Sequence, residues 1–144
     1  MPVYAVDTSL IIAALLSWHE RHDEALVSLQ KALNSSEPLI LPMHALVEAY
    51  AVMTRLPSPH RLSSSDAWAV LSGTFRNAKL AKLETKKAWK WLESVASNSI
   101  SGGQIYDAMI CESARSSGAT HLLTLNPKHL ELLRDELQIV VPGE

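Results

Sequence analysis

The sequence predicts an α/β fold in which a parallel sheet carries helices on both faces. Three observations support this prediction. Short apolar runs rich in β-branched and aromatic residues alternate with longer stretches of helical periodicity along the whole chain. Hydrophobic residues make up 47% and charged residues 19%, as in an ordinary globular protein. The 144 residues can bury a core and show no linker composition, so we expect one domain over residues 1–144.

The first predicted strand leads directly into a helix. Residues 3–6 form a short apolar run that ends at Asp7. Thr8 or Ser9 can cap the helix that follows, since both side chains carry a hydroxyl acceptor. Apolar residues then recur at helical spacing over residues 20–33, which predicts a second helix.

The next strand and two further helices follow the same order. Residues 39–41 form a buried strand, and a helix with Pro42 at its first turn is expected over residues 42–56. Pro57 and Pro59 then break the chain. Ser63, with Asp66 three residues later, predicts the start of a fourth helix.

The rest of the chain completes the alternation. Residues 79–83 alternate polar and apolar side chains, which predicts a strand near the edge of the sheet. Helices are expected over residues 85–97 and 104–116, and Gly118 would end the second of them. Two further apolar runs predict the last strands, at residues 121–124 and 137–141.

Composition excludes several classes of protein. The formal net charge is −2, from 13 Lys and Arg against 15 Asp and Glu, so nucleic-acid binding through overall positive charge is disfavoured. The single cysteine, Cys111, rules out an internal disulfide and fits a reducing compartment. The longest apolar run, residues 10–16, is too short to span a bilayer, and the N-terminus lacks the pattern of a secretion signal. We therefore expect a cytoplasmic protein without a membrane segment.

Three acidic residues lie in unusually apolar surroundings. Asp7 ends the first strand, while Glu48 and Asp107 each lie within a largely apolar helical stretch. Carboxylates in such positions are rarely buried without a partner, and no Lys or Arg lies within four residues of any of the three. A helix cap, a tertiary salt bridge or a metal ion could each supply the partner.

The predicted topology favours a metal site. Ligands of open α/β sheets bind beyond the carboxyl ends of the strands, where Asp7 is placed. Asn126 follows the fourth strand and brings an amide oxygen to the same edge. Because oxygen-rich donor sets suit Mg²⁺ or Mn²⁺, we expect such an ion here. Three carboxylates close together should also raise the pKa of at least one of them.

Four short motifs carry a resemblance to a known family. They occur in family-like order and are Asp7-Thr8-Ser9 after the first strand, Glu48 in the helix after the second, Tyr106-Asp107-Ala108, and the segment from Leu123 to His129. Together they resemble PIN domains, and more narrowly the VapC toxins of toxin–antitoxin modules. The resemblance implies a sheet in the order 3-2-1-4-5.

The same resemblance implies a divalent-metal-dependent endoribonuclease that cleaves RNA. Asp7, Glu48 and Asp107 would be the catalytic, metal-binding acids. Thr8 and Thr124 would be hydroxyls that orient Asp7 or a metal-bound water, unless they are simple cap and turn residues. The family often has a fourth acid where this chain has Asn126, so we expect weaker metal binding, with millimolar Mg²⁺ or a preference for Mn²⁺.

The resemblance also implies protein partners. These are a VapB-like antitoxin, which would insert a helical segment into a groove, and a second copy of the chain in a homodimer. Trp89 lies off the apolar stripe of its helix and is a candidate for either interface, or for a second core contact. His44, four residues before Glu48, could orient that acid or contact substrate, or it could be structural.

Six of the 13 basic residues cluster within residues 76–90. They could steer RNA phosphates, or they could protect an exposed edge strand. They are Arg76, Lys79, Lys82, Lys86, Lys87 and Lys90.

Other functions fit the motifs less well. A haloacid-dehalogenase-like phosphatase would need an Asp at position 9, which holds Ser9. A receiver domain would need an Asp at the end of the third strand, and a nucleotide-binding module would need glycines in residues 7–16, where there are none. The remaining alternative is a degenerate PIN domain that binds RNA or protein without cleaving, which Asn126 keeps open.

Overall fold

A computed structural model describes residues 1–128, 130 and 137–144 of the chain. Five parallel strands form one sheet in the order β3-β2-β1-β4-β5, which confirms both the fold class and the order that the family resemblance implied. Helices follow the strands and pack against one another and against the sheet. Of the motif residues quoted above, His129 lies outside the described part of the chain.

All five strands are short. They are β1 (Tyr4–Val6), β2 (Ile40–Pro42), β3 (Lys79–Ala81), β4 (His121–Leu123) and β5 (Gln138–Val140). The described residues also form six α-helices. These are α1 (Thr8–Leu15), α2 (His22–Leu33), α3 (Met43–Arg55), α4 (Ser64–Phe75), α5 (Ala88–Ser97) and α6 (Gln104–Ser116).

Two helix starts show how local chemistry sets the boundaries. Ser63 caps α4 as expected, since its hydroxyl accepts from the Asp66 amide at 3.1 Å. The cap of α1 is Asp7, not Thr8 or Ser9 as the sequence suggested. The Asp7 carboxylate accepts from the Leu10 amide at 2.9 Å, so β1 passes into α1 with no intervening loop.

Two helical stretches are shorter than predicted. The helix expected from residue 20 begins at His22, because backbone bonds from His19 to Leu16 and from His22 to His19, both 3.0 Å, close turns ahead of it. The stretch expected from residue 85 starts as a 3₁₀ turn over Thr85–Lys87, and α5 begins only at Ala88. Sequence periodicity does not distinguish these tight turns from the first turn of a helix.

The core lies between the sheet and the helices packed on it. Many of its buried residues are alanines, which let helix backbones approach the sheet and each other closely. In the sheet, Val6 pairs with Leu123, so the residues that follow β1 and β4 emerge side by side. The Asp7 amide extends this ladder by donating to the Leu123 carbonyl at 3.2 Å.

Strand β3 lies at the edge of the sheet, as its alternating pattern predicted. Lys79 and Leu80 on this strand are exposed, and so is Lys82 directly after it. Lysines on an edge strand oppose pairing with another chain, so their position supports the protective interpretation. A role for the basic cluster in steering RNA stays a prediction. No helix in the described ranges combines the length and the apolar character needed to cross a membrane.

We predict that the core substitution Leu122→Ala lowers the free energy of unfolding by about 2–5 kcal/mol, because it leaves a cavity in a central strand. Leu122 is 0% exposed, whereas Leu80 on the edge strand is 58% exposed. Leu80→Ala is therefore the matched control, with an expected change below about 1 kcal/mol. Urea unfolding measures both; equal losses would contradict the assignment of β4 to the centre of the core.

Candidate metal centre

Asp7 is a buried carboxylate whose two oxygens are held by hydrogen-bond donors. Its Oδ1 accepts from the Leu10 amide at 2.9 Å and from the Ser9 hydroxyl at 2.7 Å. Its Oδ2 accepts from the Thr124 hydroxyl at 2.5 Å. The side chain is 5% exposed, so its orientation is fixed from two sides: by the α1 backbone and by the end of β4.

Burial raises the pKa of Asp7 above its usual value of 3.8. Loss of solvation is the largest cause, and the negative charge of Asp107 adds a smaller effect in the same direction. The bonds from Thr124, Leu10 and Ser9 act the other way, because they stabilise the ionised form. The expectation of a raised carboxyl pKa is met, but chiefly through burial and less through the neighbouring acid.

Glu48 reaches the same region from α3. The Thr8 hydroxyl on α1 donates to Glu48 Oε1 at 2.5 Å, so one bond links the first turn of α1 to the middle of α3. Glu48 itself is half-buried. Thr8 therefore orients Glu48. The family resemblance had implied that Thr8 orients Asp7 or a metal-bound water.

A second set of contacts joins α1 to the segment after β4. The Ser9 hydroxyl accepts from the Leu125 amide at 3.0 Å while donating to Asp7. The Thr124 hydroxyl likewise accepts from the Asn126 amide at 3.0 Å. Each hydroxyl thus donates its hydrogen to Asp7 and accepts a hydrogen bond from a backbone amide of the segment after β4. Ser9 is therefore part of the site.

The acids that the sequence singled out line one cleft of about 580 Å³ at the carboxyl end of the sheet. Its lining includes Asp7, Glu48, Asp107, Thr8 and Asn126. Thr124 does not line the cleft; it is fully buried behind Asp7. Thr124 can therefore position Asp7 from behind but cannot itself be a ligand for an ion in the cleft.

Within the described part of the chain, Asp7 and Glu48 form no ion pair with a basic side chain. The ion pairs among the described residues join Arg21 to Glu24, Lys87 to Glu84 and Arg115 to Glu112. Arg21 lines the cleft, but its guanidinium binds Glu24 and donates to the Pro142 carbonyl at 3.0 Å. Of the partners that the sequence left open, a tertiary salt bridge is therefore excluded for Asp7 and Glu48 among the described residues.

The donor set fits a hydrated hard cation and does not form a closed cage. No three His, Cys, Asp or Glu side chains within the described ranges converge closely enough to enclose an ion by themselves. Asp7, Glu48, Asp107 and the Asn126 amide nevertheless supply only oxygen donors to one cleft. Mg²⁺ suits such a set, because it keeps several waters and binds proteins through one or two carboxylates.

Cys111 lies buried on α6, one turn after Asp107. Burial, followed by the charges of Asp7 and Asp107, raises the pKa of its thiol to about 12. The thiol is therefore protonated and unreactive, and its small side chain serves packing. Its pKa also shows that the negative charges of the two acids act on the same part of the interior.

Two predicted residues lie outside the cleft. His44 stacks on Tyr106, with ring centroids 5.1 Å apart and planes 3° apart, so it joins α3 to α6. Its buried Nε2 atom has no hydrogen-bond partner among the residues described. Trp89 lies on α5 with 85% of its surface exposed, which excludes the second core contact weighed above. Its assignment to a protein interface stays a prediction.

One side of the cleft was not predicted from the sequence. His19, Glu20 and Arg21, which lie in the turn between α1 and α2, line it together with Ile12 and Val52. Sequence periodicity carries no signal for a turn that folds back beside a distant helix. These residues give the cleft a polar, partly basic rim next to the acids.

Comparison with known proteins shows which family the chain resembles. The family model of the PIN domain matches residues 4–134. Ribonuclease VapC40 of Mycobacterium tuberculosis is 36% identical over 139 residues, which cover 94% of this chain and 98% of that protein. Ribonuclease VapC27 of the same organism is 34% identical over 113 residues, or 78% of this chain and 77% of the relative.

Solved structures share the fold at lower sequence identity. VapBC2 of Rickettsia felis, bound to a DNA fragment from its promoter, has a TM-score of 0.70 and 15% identity; the match covers 98% of this chain and 99% of that one. VapBC-1 of nontypeable Haemophilus influenzae has a TM-score of 0.69 and 17% identity, with 96% and 97% covered. The VapC20 toxin of Mycobacterium tuberculosis, which cleaves the sarcin–ricin loop, has a TM-score of 0.64 and 16% identity, with 83% and 86% covered. From its family match and its relatives, this chain belongs to the PIN domain family, and within it to the VapC group.

Proposed function

We propose that this chain, as one PIN domain over residues 1–144, is a Mg²⁺- or Mn²⁺-dependent endoribonuclease and the toxin of a type II toxin–antitoxin pair. The observation that carries the proposal is that Asp7, Glu48 and Asp107 all line one cleft at the carboxyl end of the sheet. The relatives that cover most of the chain are named ribonucleases, which supports RNA as the substrate. The cytoplasm is the compartment that contains such substrates.

The protein groups have distinct tasks in this proposal. When bound, the metal ion would polarise the scissile phosphate and lower the pKa of an attacking water. Asp7 and Asp107 would hold the ion, and Glu48, oriented by Thr8, would complete the acid set. Asn126 supplies a neutral oxygen where an acid often stands in the family, so we expect modest metal affinity.

A VapB-like antitoxin is the proposed protein partner. Structures with this fold include two VapBC complexes, which supports a partner of that kind. A homodimer remains part of the proposal, with exposed Trp89 as one candidate contact. Co-expression with any short reading frame that abuts the gene, followed by copurification, tests the partner separately from the activity.

The proposal predicts metal-dependent cleavage of RNA. Purified protein incubated with total RNA and tRNA should cleave in Mg²⁺ or Mn²⁺ and should be inactive in excess EDTA. Asp7→Asn should reduce the rate at least about 100-fold, because it removes a charge that holds the ion. Gel analysis of the RNA measures both. Cleavage that survives EDTA or Asp7→Asn would contradict the metal mechanism, and no cleavage with any metal would favour the non-cleaving PIN domain.

Thr124 is predicted to act by positioning Asp7 and not as a metal ligand. Thr124→Val removes the hydroxyl at nearly constant volume, so we expect metal affinity and activity to fall about 10- to 100-fold. Thr124→Ser should retain most of both, since it keeps the donor. The matched control is Thr74→Val on α4, whose hydroxyl binds the Val70 carbonyl away from the cleft at 2.8 Å. Metal titration and cleavage rates measure these effects. Equal losses in Thr124→Val and Thr74→Val would refute the positioning role of Thr124.

The raised pKa of Asp7 predicts a cost in stability. The folded state holds the proton more tightly than the unfolded state, so the free energy of unfolding should decrease as the pH rises from about 4 through the raised pKa. In metal-free protein at pH 7, Asp7→Asn should therefore raise Tm, and this gain should shrink towards pH 4. Thermal unfolding between pH 4 and 8 in EDTA measures it. A rise in Tm that does not depend on pH would contradict the conclusion that burial raises the pKa of Asp7.

A further inference from the structure

A pair of stacked aromatic rings lies beside the cleft and has no part in the metal site. The indole of Trp18, in the turn between α1 and α2, stacks on the imidazole of His60 with ring centroids 4.4 Å and planes 29° apart. His60 belongs to the connection between α3 and α4. Because 45% of the Trp18 surface remains exposed, the pair presents an aromatic surface to solvent.

Neither ring lines the cleft, but neighbouring residues on both sides place the pair next to it. The next residue, His19, lines the cleft, and its ring centroid lies 6.1 Å from that of Trp18. On the other side, Val52 of α3 lines the cleft, and the Leu62 amide donates to the carbonyl of the adjacent Met53 at 3.0 Å. The α3–α4 connection is thereby anchored next to the end of α3 that forms the cleft wall.

The turn that carries Trp18 is held by its own hydrogen bonds. The His19 amide donates to the Leu16 carbonyl and the His22 amide to the His19 carbonyl, both at 3.0 Å. The Arg21 amide donates to His19 Nδ1, also at 3.0 Å. The indole is therefore presented from a braced turn and is backed by His60, so little conformational entropy is lost when a ligand stacks on it.

We propose that Trp18, supported by His60, is the stacking platform for an unpaired RNA base next to the phosphate held at the acids. This inference rests on the proposed function and extends it to the recognition of substrate. Proteins read unpaired RNA largely by stacking bases on aromatic side chains, which tolerates different sequences. The rim formed by His19, Glu20 and Arg21 is polar, which suits a nucleotide better than the apolar anchor of a peptide.

The other exposed tryptophans do not share this setting. Trp68 on α4 and Trp89 on α5 are 69% and 85% exposed, but neither is next in sequence to a residue that lines the cleft of the acids. Trp68 borders an apolar groove of about 590 Å³ between α3, α4 and β3. Because Trp68 is assigned to no interface, it serves as the control for a nonspecific effect of removing a surface indole.

The test measures RNA binding without cleavage. In the Asp7→Asn background, fluorescence anisotropy follows a labelled, mixed-sequence, single-stranded RNA of about 12 nucleotides. Trp18→Ala should weaken binding about 5- to 100-fold, while Trp18→Phe should stay within about threefold of its parent. Trp68→Ala should bind as its parent does. Equal losses for Trp18→Ala and Trp68→Ala, or no loss for Trp18→Ala, would overturn the proposal.

An abasic oligonucleotide separates stacking from contact with the backbone. Its affinity should be the same for the parent and Trp18→Ala, because it has no base to stack. An equal loss on the abasic and the normal strand would show that Trp18 serves the fold or the phosphates, and would refute the proposal. If Trp18→Ala fails to fold, Trp18→Leu replaces it, since leucine keeps the apolar bulk without the aromatic face.

Two further measurements distinguish the remaining outcomes. Loss of affinity for a copurifying antitoxin with unchanged RNA binding would assign Trp18 to the protein partner and overturn the proposal. Failure of the proposed function would instead appear as no cleavage by the native chain in Mg²⁺ or Mn²⁺. The binding series runs in a variant that does not cleave, so it decides the role of Trp18 independently of that result.

Discussion

The cleft depends on one constraint: a carboxylate, Asp7, is buried at the junction of β1 and α1, where hydroxyl and amide groups donate hydrogen bonds to it. Asp7 caps α1, so an apolar residue in this place would remove the cap and destabilise the start of the helix. The same carboxylate accepts from Ser9 and Thr124, which ties the segment after β4 to the helix. One side chain thus organises the helix start, the strand end and the proposed metal centre.

This arrangement sets stability against function. Burial disfavours the ionised carboxylate, whereas cation binding needs that ionised form. The three donors around Asp7 offset part of the cost and fix its direction at the same time. Buried ionisable groups with shifted pKa values cluster at functional sites, where a bound ligand can offset the cost of burying the charge.

The charge distribution is consistent with an RNA substrate despite the net charge of −2. Asp7, Glu48 and Asp107 lie in the cleft, where a bound divalent cation would offset much of their charge. Phosphate affinity can then reside in the metal centre, and bases can contribute through stacking at the rim. Overall charge therefore excludes only binding by general positive potential and does not exclude a metal-dependent nuclease.

The sequence by itself determined the α/β class and the succession of strands and helices to within a few residues, because hydrophobic periodicity is a local signal. It also singled out Asp7, Glu48 and Asp107, because carboxylates in apolar stretches are visible in the sequence alone. The strand order came from family resemblance. Only the tertiary structure decided that Asp7 caps α1, that Ser9 and Thr124 hold it, and that His44 turns to Tyr106. It alone brought Trp18 to His60, since such contacts join residues far apart in sequence through turns that carry no periodic signal.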